Sequence, residues 1–214
     1  MYIFQPDRYL LRKQIEGVAH YIRGRVLDIG AGERNRYADL FKASEYVTMD
    51  VHSGSNVQIV GSIEAVPAEA ESFDSIVCTQ VLEHVPHPVQ AIKELHRVLK
   101  PGGHVLVTVP QVAELHEEPN DFFRYTPFGL EKLFGETGFH VVEKMQRGGF
   151  FATRAQMNIR YAMDRWQLFS RPFLGRIGHM LFKVCGSIAL WRDGRDTSIA
   201  NRKHAIGWTY IFQK

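Results

Sequence analysis

The sequence predicts an α/β fold in which helices cover both faces of an open, mostly parallel sheet. Short apolar runs of strand length alternate with amphipathic segments of helix length along most of the 214-residue chain. Such alternation is typical of parallel strands that are joined by crossover helices. One apolar run, residues 25–29, leads directly into a turn that contains Gly30 and Gly32. Glycines after a strand permit a sharp turn and a close approach to a ligand, which indicates a binding site at this edge.

Length and composition indicate one domain over residues 1–214 and a reducing environment. Cys78 and Cys185 are too few for a disulfide framework and lack the spacing of a metal-binding pair. The first residues do not combine a basic segment with an apolar one, as a signal peptide does, and we see no run of about 18 apolar residues. We therefore expect a cytoplasmic protein, and contact with a membrane surface stays open.

The first half of the chain contains two predicted helices and four predicted strands. Pro6 suits the first turn of a helix, and apolar residues then recur every three or four positions as far as Ile22. A second helix is predicted directly after the glycine turn. The helices span 6–22 and 34–43, and the strands span 25–29, 46–51, 57–60 and 73–78.

The second half continues the alternation and ends in a strand. Pro88 begins a helix, and the Pro-Gly-Gly sequence after Lys100 ends it, because neither residue type continues a helix well. A polar and aromatic loop runs from Gln111 to Tyr125, in the position where substrates bind in such sheets. Helices are predicted at 88–99, 127–135 and through most of 150–191, and strands at 104–109, 139–144 and 206–212.

Two carboxylates mark the predicted ligand site. Asp28 stands just before Gly30, and Asp50 follows at the end of the second strand. A carboxylate at this second position can accept hydrogen bonds from both hydroxyls of a ribose. The third position of the turn is Asn35, whereas a dinucleotide site has glycine there. A carboxylate beside the turn suits a positively charged ligand better than a pyrophosphate.

Five segments, taken together and in order, resemble the class I S-adenosylmethionine-dependent methyltransferases, in particular the ubiquinone-type and small-molecule group. The resemblance covers roughly residues 20–146, which would form the cofactor-binding core. It implies a three-layer Rossmann-like methyltransferase fold whose seven-stranded sheet has a reversed last strand, supplied by 206–212. It also implies S-adenosyl-L-methionine as the cofactor. The segments are VLDIGAG at 26–32, Asp50, GSIEAVP at 61–67, FDSIVCTQVLEHV at 73–85 and RVLKPGGHVLVTVP at 97–110.

The resemblance further implies which residues bind each part of the cofactor. The turn after the first strand would lie under the methionine moiety, and the end of the second strand would hold the ribose. Ser62 stands where the family often has Asp, so a hydroxyl would replace a carboxylate near the adenine. The implied residues are Asp28, Gly30, Ala31 and Gly32 for methionine, Asp50 and Val51 for ribose, Ser62 and Ile63 for adenine, and Thr79 and Gln80 beside the transferring methyl.

Methyl transfer from a sulfonium needs mainly alignment and desolvation, because the sulfonium already makes the methyl electrophilic. A general base helps only when the acceptor hydroxyl or amine still carries its proton. His84 is the preferred candidate for that base, since histidine titrates near neutrality. His116 is a second candidate. The alternative for His84 is a purely structural role in the loop before Pro86.

The segment from Gln80 to His84 also resembles a divalent-cation motif. Relatives that act on quinone precursors have Glu at the first position of this motif, and Glu83 and His84 match the remaining two. Gln80 removes one charge from the set, which weakens a site for hard cations. We therefore expect no tightly bound metal.

Substrate-side residues are predicted in the loop after the fifth strand, namely His116, Arg124 and Tyr125. Arg124 either pairs with an anionic acceptor in a bidentate arrangement or pairs internally with Asp121. Both alternatives stay open at this point.

Residues 150–204 are predicted to be a helical, basic insertion before the last strand, acting as a substrate lid. Residues 151–204 contain ten Lys or Arg and three Asp, a balance of +7, whereas the rest of the chain carries −4. This asymmetry indicates either an anionic partner or a solvated basic face. An apolar stripe from Leu174 to Trp191 either lies on a membrane surface or, as we favour, packs on its own domain.

The sequence therefore predicts a methyltransferase that acts on a small-molecule, glycan or lipid-linked acceptor, with an anionic acceptor left open. Two alternatives remain. The chain could be a non-catalytic module that keeps the fold for binding or scaffolding. It could also methylate RNA, although the segment after the fourth strand lacks the Asn/Asp-Pro-Pro-aromatic run of amino-methylating nucleic-acid enzymes, which makes nucleic acid the less favoured partner.

Overall fold

A computed structural model describes residues 2–33 and 36–214. In these residues the strands are β1 (Arg23–Ile29), β2 (Lys42–Asp50), β3 (Ile59–Val60), β4 (Phe73–Thr79), β5 (Leu99–Pro110), β6 (His140–Arg147) and β7 (Gly207–Gln213). The α-helices are α1 (Pro6–Val18), α2 (Pro88–Val98), α3 (Pro127–Gly135), α4 (Phe150–Arg165), α5 (Pro172–Arg195) and α6 (Ile199–Arg202). Short 3-10 turns occur at Ala19–Tyr21, Ala38–Leu40 and Leu82–His84.

The strands of the described residues form a seven-stranded sheet in the order β3-β2-β1-β4-β5-β7-β6. The sheet is mostly parallel, its last strand is reversed, and helices lie on both sides, as the resemblance implied. Ile29 pairs with Met49 on β2 and with Cys78 on β4. The carboxyl ends of β1, β2 and β4 therefore lie at one level of one edge, which brings the residues that follow them together.

The chain divides into two compact units. The sheet unit comprises Gln14–Pro110, Leu115–Met145 and Trp208–Lys214, and the helical unit comprises Met1–Lys13, Gln111–Glu114 and Gln146–Gly207. The sheet unit has a conventional core, in which Leu27, Ile76 and Leu106 are fully buried. Burial of such side chains contributes about 1.5–3 kcal/mol each, so the central strands provide a rigid base for the edge above them.

The predicted helix at 34–43 is wrong over the described part of that range; Arg34 and Asn35 lie outside the described residues. A single 3-10 turn occupies Ala38–Leu40, and β2 already begins at Lys42. The extra strand residues pair with β1, and Arg25 forms an ion pair of 2.8 Å with Glu45 across the two strands. Strand pairing therefore overrides the local helical tendency of this segment.

Other predicted boundaries differ by smaller amounts. The first helix ends at Val18 and the fifth strand begins at Leu99, because Pro101 to Gly103 lie within β5 at an irregularity in its pairing with β4. The predicted helical region at 150–191 forms two helices, since Pro172 begins α5. Asp193 connects them, because its carboxylate accepts hydrogen bonds from the amides of Gly149, Phe151 and Ala152 at 2.7–3.0 Å.

The α5 stripe does not pack on its own domain, so the favoured expectation is wrong. The buried residues of α5 are small, namely Gly175, Gly178, Gly186 and Ala189. Its large apolar side chains are exposed, and Leu181 and Val184 each keep 59% of their surface in solvent. Within the part of the chain that the structure describes, α5 alone has the length and composition of a membrane-crossing helix. The exposed α5 face comprises Phe173, Leu174, Ile177, Met180, Leu181, Val184, Ile188 and Trp191.

Candidate active site

The turn after β1 has two glycines in the left-handed region, with φ of 73° at Gly30 and 59° at Gly32. A Cβ on Gly30 would lie 2.4 Å from Cγ2 of Val81, so this position excludes any side chain. A Cβ on Gly32 would meet no described atom within 4 Å. Among the described residues, Gly32 is therefore required by its backbone conformation alone, and no described atom fills the space where its side chain would lie.

The turn is held by the end of β2. The amides of Gly30 and Ala31 donate to the carbonyl oxygen of Met49 at 2.9 and 3.2 Å. The amide of Gly32 donates to Oδ2 of Asp50 at 3.0 Å, and the amide of His52 donates to Oδ1 at 3.0 Å. The Asp50 carboxylate is thereby oriented by two backbone donors, while its oxygens keep further acceptor capacity for a diol.

Asp28 lies beneath this turn and is only 7% exposed. The hydroxyl of Tyr46 donates to its Oδ2 at 2.8 Å. The pKa of the Asp28 carboxyl is raised to about 7, chiefly by burial; the hydrogen bond from Tyr46 acts against this increase, and the charge of Asp50 makes a smaller contribution to it. A carboxyl that titrates near neutrality becomes ionised when a cationic group binds beside it. The site can therefore respond to a sulfonium or an ammonium group.

The loop after β3 is connected to the same edge. The amide of Gly61 donates to the carbonyl oxygen of Asp50 at 3.0 Å, so Ser62 and Ile63 follow directly from this contact. The hydroxyl of Ser62 accepts from the amide of Glu64 at 3.1 Å and can still donate its own proton. Ile63 is buried, with 4% of its surface exposed, whereas Val51 is 59% exposed.

The end of β4 carries an unusual backbone conformation. Gln80 has a φ of 55°, a conformation that costs a non-glycine residue about 1–2 kcal/mol. Its amide donates to the carbonyl oxygen of Thr108 at 2.9 Å, and its Nε2 donates to Oγ1 of the same residue at 3.2 Å. These bonds stabilise the turn and leave Thr79 half-buried beside it.

His84 ends the 3-10 turn that follows. Its Nδ1 lies 2.7 Å from the carbonyl oxygen of Asn120. A carbonyl can only accept, so Nδ1 carries the proton and the neutral ring has its lone pair on Nε2. His116 lies beside it, with ring centroids 4.7 Å apart in an edge-to-face arrangement. The structure thus brings the two candidate bases together, although the sequence placed them in separate segments.

The loop after β5 is held by an internal ion pair. Arg124 donates to both carboxylate oxygens of Asp121 at 2.6 and 2.7 Å, as one of the two alternatives expected. The Arg124 guanidinium holds the pKa of the Asp121 carboxyl well below its usual range, and the amide of His116 acts in the same direction. Tyr125 is buried, and its hydroxyl donates to the carbonyl oxygen of Leu82 at 3.0 Å.

Sequence reasoning missed the residues that join this loop to the turn at Leu82–His84. The carbonyl oxygen of Glu83 accepts from the amides of Phe122 and Phe123 at 2.9 and 3.1 Å. The Glu83 side chain is fully buried. Asn120 acts through its backbone carbonyl, which no residue-type pattern reveals. Asp121, three residues before Arg124, was the one visible signal of an internal pair.

Comparison with known proteins places this arrangement in context. The sequence profile of a family described as a methyltransferase domain matches residues 7–144. An uncharacterized protein of Methanocaldococcus jannaschii is 26% identical over 178 residues, covering 76% of this chain and 82% of that protein. The ubiquinone/menaquinone biosynthesis C-methyltransferase of a Ruegeria species is 32% identical over 41% of this chain. The match covers 30% of that enzyme, so this chain corresponds to less than a third of its length.

Solved structures show the same fold at low sequence identity. Phosphoethanolamine N-methyltransferase 2 of Haemonchus contortus, in complex with S-adenosyl-L-methionine, matches with a TM-score of 0.57 at 18% identity, over 96% of this chain and 52% of that chain. The cyclase SpnF matches with a TM-score of 0.55 at 19% identity, over 97% of this chain and 80% of that chain. At such identities the likeness concerns the fold alone.

Proposed function

The chain belongs to the methyltransferase domain family, which uses S-adenosylmethionine, and we propose that it transfers the methyl group of this cofactor to a small-molecule acceptor. One observation carries the proposal. The left-handed turn at Gly30 and Gly32 lies between the buried carboxyl of Asp28 and the oriented carboxylate of Asp50. This combination offers an open backbone surface, a carboxylate that can accept from a diol, and a carboxyl that becomes ionised when a cation binds beside it.

Each feature of the edge has a defined role in this proposal. Each carboxylate oxygen of Asp50 already accepts one backbone hydrogen bond and has a further lone pair, with which it accepts from a ribose hydroxyl. Val51, the next residue, lies beside the ribose. Asp28, Gly30, Ala31 and Gly32 lie under the methionine moiety, and Asp28 ionises as the cationic cofactor binds. Ser62 and Ile63 contact the adenine, and Thr79 and Gln80 lie beside the sulfonium. The chain supplies alignment and a water-poor site, which is the main requirement of methyl transfer.

His84 acts as the general base in this proposal when the acceptor is a hydroxyl or an amine that carries a proton. Its Nδ1 donates to the carbonyl oxygen of Asn120, which supports a neutral ring whose Nε2 can take that proton. His116, directly beside it, is the alternative base. A His84→Gln variant should then bind cofactor normally but lose at least about 100-fold in turnover, which is the usual contribution of general base catalysis.

Calorimetry with S-adenosylmethionine tests the proposal most directly. The native chain should bind the cofactor with a stoichiometry of one, and Asp50→Ala should weaken binding strongly. Glu45→Ala is a matched control, because it removes an exposed carboxylate from the same strand. An absence of binding heat at millimolar cofactor would contradict the proposal and favour a non-catalytic module.

We further propose that the acceptor is anionic and lipid-linked, for example a glycan carried on a phosphorylated lipid, and that the protein is cytoplasmic and binds membranes peripherally. The exposed α5 face supports this, because an apolar helix surface of this size that the described residues leave exposed suits the boundary of a lipid bilayer. Arg176 and Lys183 lie two helical turns apart along one edge of this face, which matches anionic headgroups.

Sedimentation with vesicles tests membrane binding separately from catalysis. The native chain should bind anionic vesicles at low salt, and binding should fall with Leu181→Gln plus Val184→Gln or with Arg176→Glu plus Lys183→Glu. Val89→Gln is the control, since Val89 is an exposed apolar residue of α2 in the sheet unit. Equal binding by all variants, or none at low salt, would exclude this surface as the docking site.

Two other functions stay open. Because a solved structure with this fold is described as a cyclase, the fold by itself leaves a differently catalytic or a non-catalytic role open. An RNA methyltransferase is supported only by the basic balance of residues 151–204. RNA binding would show a steep loss of affinity with salt, and release of S-adenosylhomocysteine would depend on RNA rather than on a lipid-linked acceptor.

A further inference from the structure

We propose that Glu83, His84 and His116 form a binding site for a divalent transition-metal ion of the Zn²⁺ type. This inference goes beyond the proposed function, because transfer of a sulfonium methyl does not itself require a metal. An ion bound to Nε2 of His84 would occupy the lone pair that general-base catalysis needs, so metal binding and the base role of His84 are alternatives. One carboxylate and two imidazoles are a ligand set that Zn²⁺, Co²⁺ and Ni²⁺ prefer over Mg²⁺ or Ca²⁺. Three protein ligands also leave at least one coordination position open, as in catalytic rather than structural zinc sites.

The ligand atoms already lie close together. One nitrogen from each histidine and one carboxylate oxygen of Glu83 all lie within 4.8 Å of one another. Zn–N and Zn–O bonds of about 2.0–2.2 Å place tetrahedral ligands roughly 3.3–3.5 Å apart. Ligand atoms at the outer limit of that separation therefore need to converge by about 1.3–1.5 Å when an ion binds.

Both histidines are oriented in the way that metal ligands usually are. Nδ1 of His84 donates to the carbonyl oxygen of Asn120 at 2.7 Å. Nδ1 of His116 lies 3.5 Å from Oδ2 of Asp121. The acceptor at Nδ1 of His84 fixes its tautomer, so that the neutral ring offers the lone pair of Nε2 to a cation. The Asp121 carboxylate lies at ion-pair distance from Nδ1 of His116 and favours the same orientation of that ring. Asp121 is itself held by Arg124, so the orientation of His116 rests on a fixed group.

The two segments that carry the ligands are joined by backbone hydrogen bonds. The carbonyl oxygen of Glu83 accepts from the amides of Phe122 and Phe123, and the hydroxyl of Tyr125 donates to the carbonyl oxygen of Leu82. The site is therefore assembled by the fold before any ion binds, and an ion would not need to organise the loop.

Charge favours a cation at this position. The Glu83 side chain is fully buried, and a positive charge beside a buried carboxylate offsets part of the cost of its desolvation. Its charge already affects its surroundings. The pKa values of the Tyr125 hydroxyl and the Cys78 thiol are raised by burial first and by Glu83 second.

From the sequence we expected no tightly bound metal, because the motif recognised there comprises only Gln80, Glu83 and His84. In the structure Gln80 donates its side-chain amide to Thr108 and faces that residue. His116 joins from another segment and supplies the third ligand. The exchange of a carboxylate for an imidazole changes the preferred ion from a hard cation to a borderline one. We therefore replace the expectation of no tight metal with a selective site.

Metal binding can be measured directly, without cofactor or acceptor. All proteins carry Cys185→Ser, because Cys185 is an exposed free thiol that could bind Zn²⁺ on its own. After treatment with a chelator and gel filtration, the protein should bind one equivalent of Zn²⁺ by calorimetry. It should also give the visible absorption bands of four- or five-coordinate Co²⁺, and Mg²⁺ should produce neither signal.

Matched variants distinguish this site from surface binding. Loss of a group that only hydrogen-bonds to a metal ligand typically lowers metal affinity about 10–100-fold. His116→Ala removes a ligand itself, so its Zn²⁺ affinity should fall by more than this. Asp121→Asn should lose about that factor, and His87→Ala, an exposed histidine on the adjoining segment, should bind as the parent does. Lack of stoichiometric Zn²⁺ binding, or unchanged binding by a folded His116→Ala protein, would overturn the proposal. Calorimetry with S-adenosylmethionine on the same samples tests the proposed function independently.

Discussion

The sheet unit and the helical unit use apolar residues in opposite ways. In the sheet unit large side chains such as Leu27 and Ile76 are buried, and the edge above them carries the candidate site. In α5 of the helical unit the buried residues are Gly and Ala, and the large apolar residues face outward. The sheet unit is thus organised around an interior, whereas α5 presents its apolar residues as a surface. Local motifs describe the first kind of organisation well and the second kind poorly.

The largest expected effect comes from Gly30→Ala in the sheet unit. A Cβ there would lie 2.4 Å from Val81 on a backbone that is left-handed, and the two effects together cost about 2–5 kcal/mol. Denaturant unfolding should show this loss, and cofactor binding should become undetectable. Gly32→Ala is the control, because it carries only the backbone penalty of about 1–2 kcal/mol. Equal effects of the two substitutions would contradict the geometry of the turn.

Asp50→Ala should have the next largest effect, on binding rather than on folding. The variant loses the carboxylate that would accept hydrogen bonds from the ribose diol and that two backbone amides orient. A hydrogen bond to a charged group contributes about 1.5–3 kcal/mol to the free energy of binding. Cofactor affinity should therefore fall about 10–150-fold in calorimetry. If affinity fell less than threefold, the ribose would have to bind elsewhere.

In the helical unit, Gly186→Ala tests the small-residue face. Its Cβ would lie 2.5 Å from Cε1 of Phe4, so overpacking should cost about 1–3 kcal/mol. Gly194→Ala, at a helix position where a Cβ meets no described atom within 4 Å, should instead be neutral or slightly stabilising. Thermal unfolding of the two variants compares them directly, and similar melting temperatures would show that the face does not pack closely.

The pH dependence of Asp28 gives a smaller effect. Its folded pKa, about 7, is raised above the ordinary aspartate value. Its contribution to the stability of the unliganded protein is therefore full at low pH and is lost as the pH rises from about 4 to about 7. Binding of the cationic cofactor has the opposite dependence, because it needs the ionised carboxyl. Affinity should rise up to about tenfold between pH 6 and pH 8, while Asp28→Asn should flatten this profile in calorimetry.

Leu181→Gln should have the smallest effect on stability. The side chain is 59% exposed, so the free energy of unfolding should change by no more than about 0.5 kcal/mol. In an ordinary core helix, replacement of Leu by a polar residue costs several times this amount. A loss above about 2 kcal/mol would show that α5 is covered in solution and would remove the contrast between the two units.

Particular residues explain what the sequence could predict. The helix at 127–135 was predicted with the correct bounds because Thr126 caps it, with Oγ1 accepting from the amide of Gly129, and Pro127 begins it. The carboxyl ends of β1, β2 and β4 meet because parallel register requires it, so the relation of Asp28 to Asp50 followed from topology. The assignments of individual residues to the cofactor stay predictions.

Other features depended on contacts that are distant in sequence. Pairing with β1 made residues 42 and 43 a strand rather than the end of the predicted helix. The position of His116 beside His84 depends on loop closure through Asn120, Phe122 and Phe123, and backbone hydrogen bonds of this kind leave no pattern in the sequence. The buried face of α5 is the one that carries glycines, because they allow close helix packing. Hydrophobic periodicity finds the stripe of large apolar residues instead, and that stripe is the exposed face.

The backbone bonds from Phe122 and Phe123 to the carbonyl oxygen of Glu83 also set a timescale for the molecule. They join loop segments that are far apart in sequence, so we expect them to open locally, without unfolding of the sheet. Such an opening would separate His116 from His84. The exchange rates of these two amides with deuterated solvent therefore report what fraction of the time the paired histidines exist, and a ligand held between them should slow both amides together.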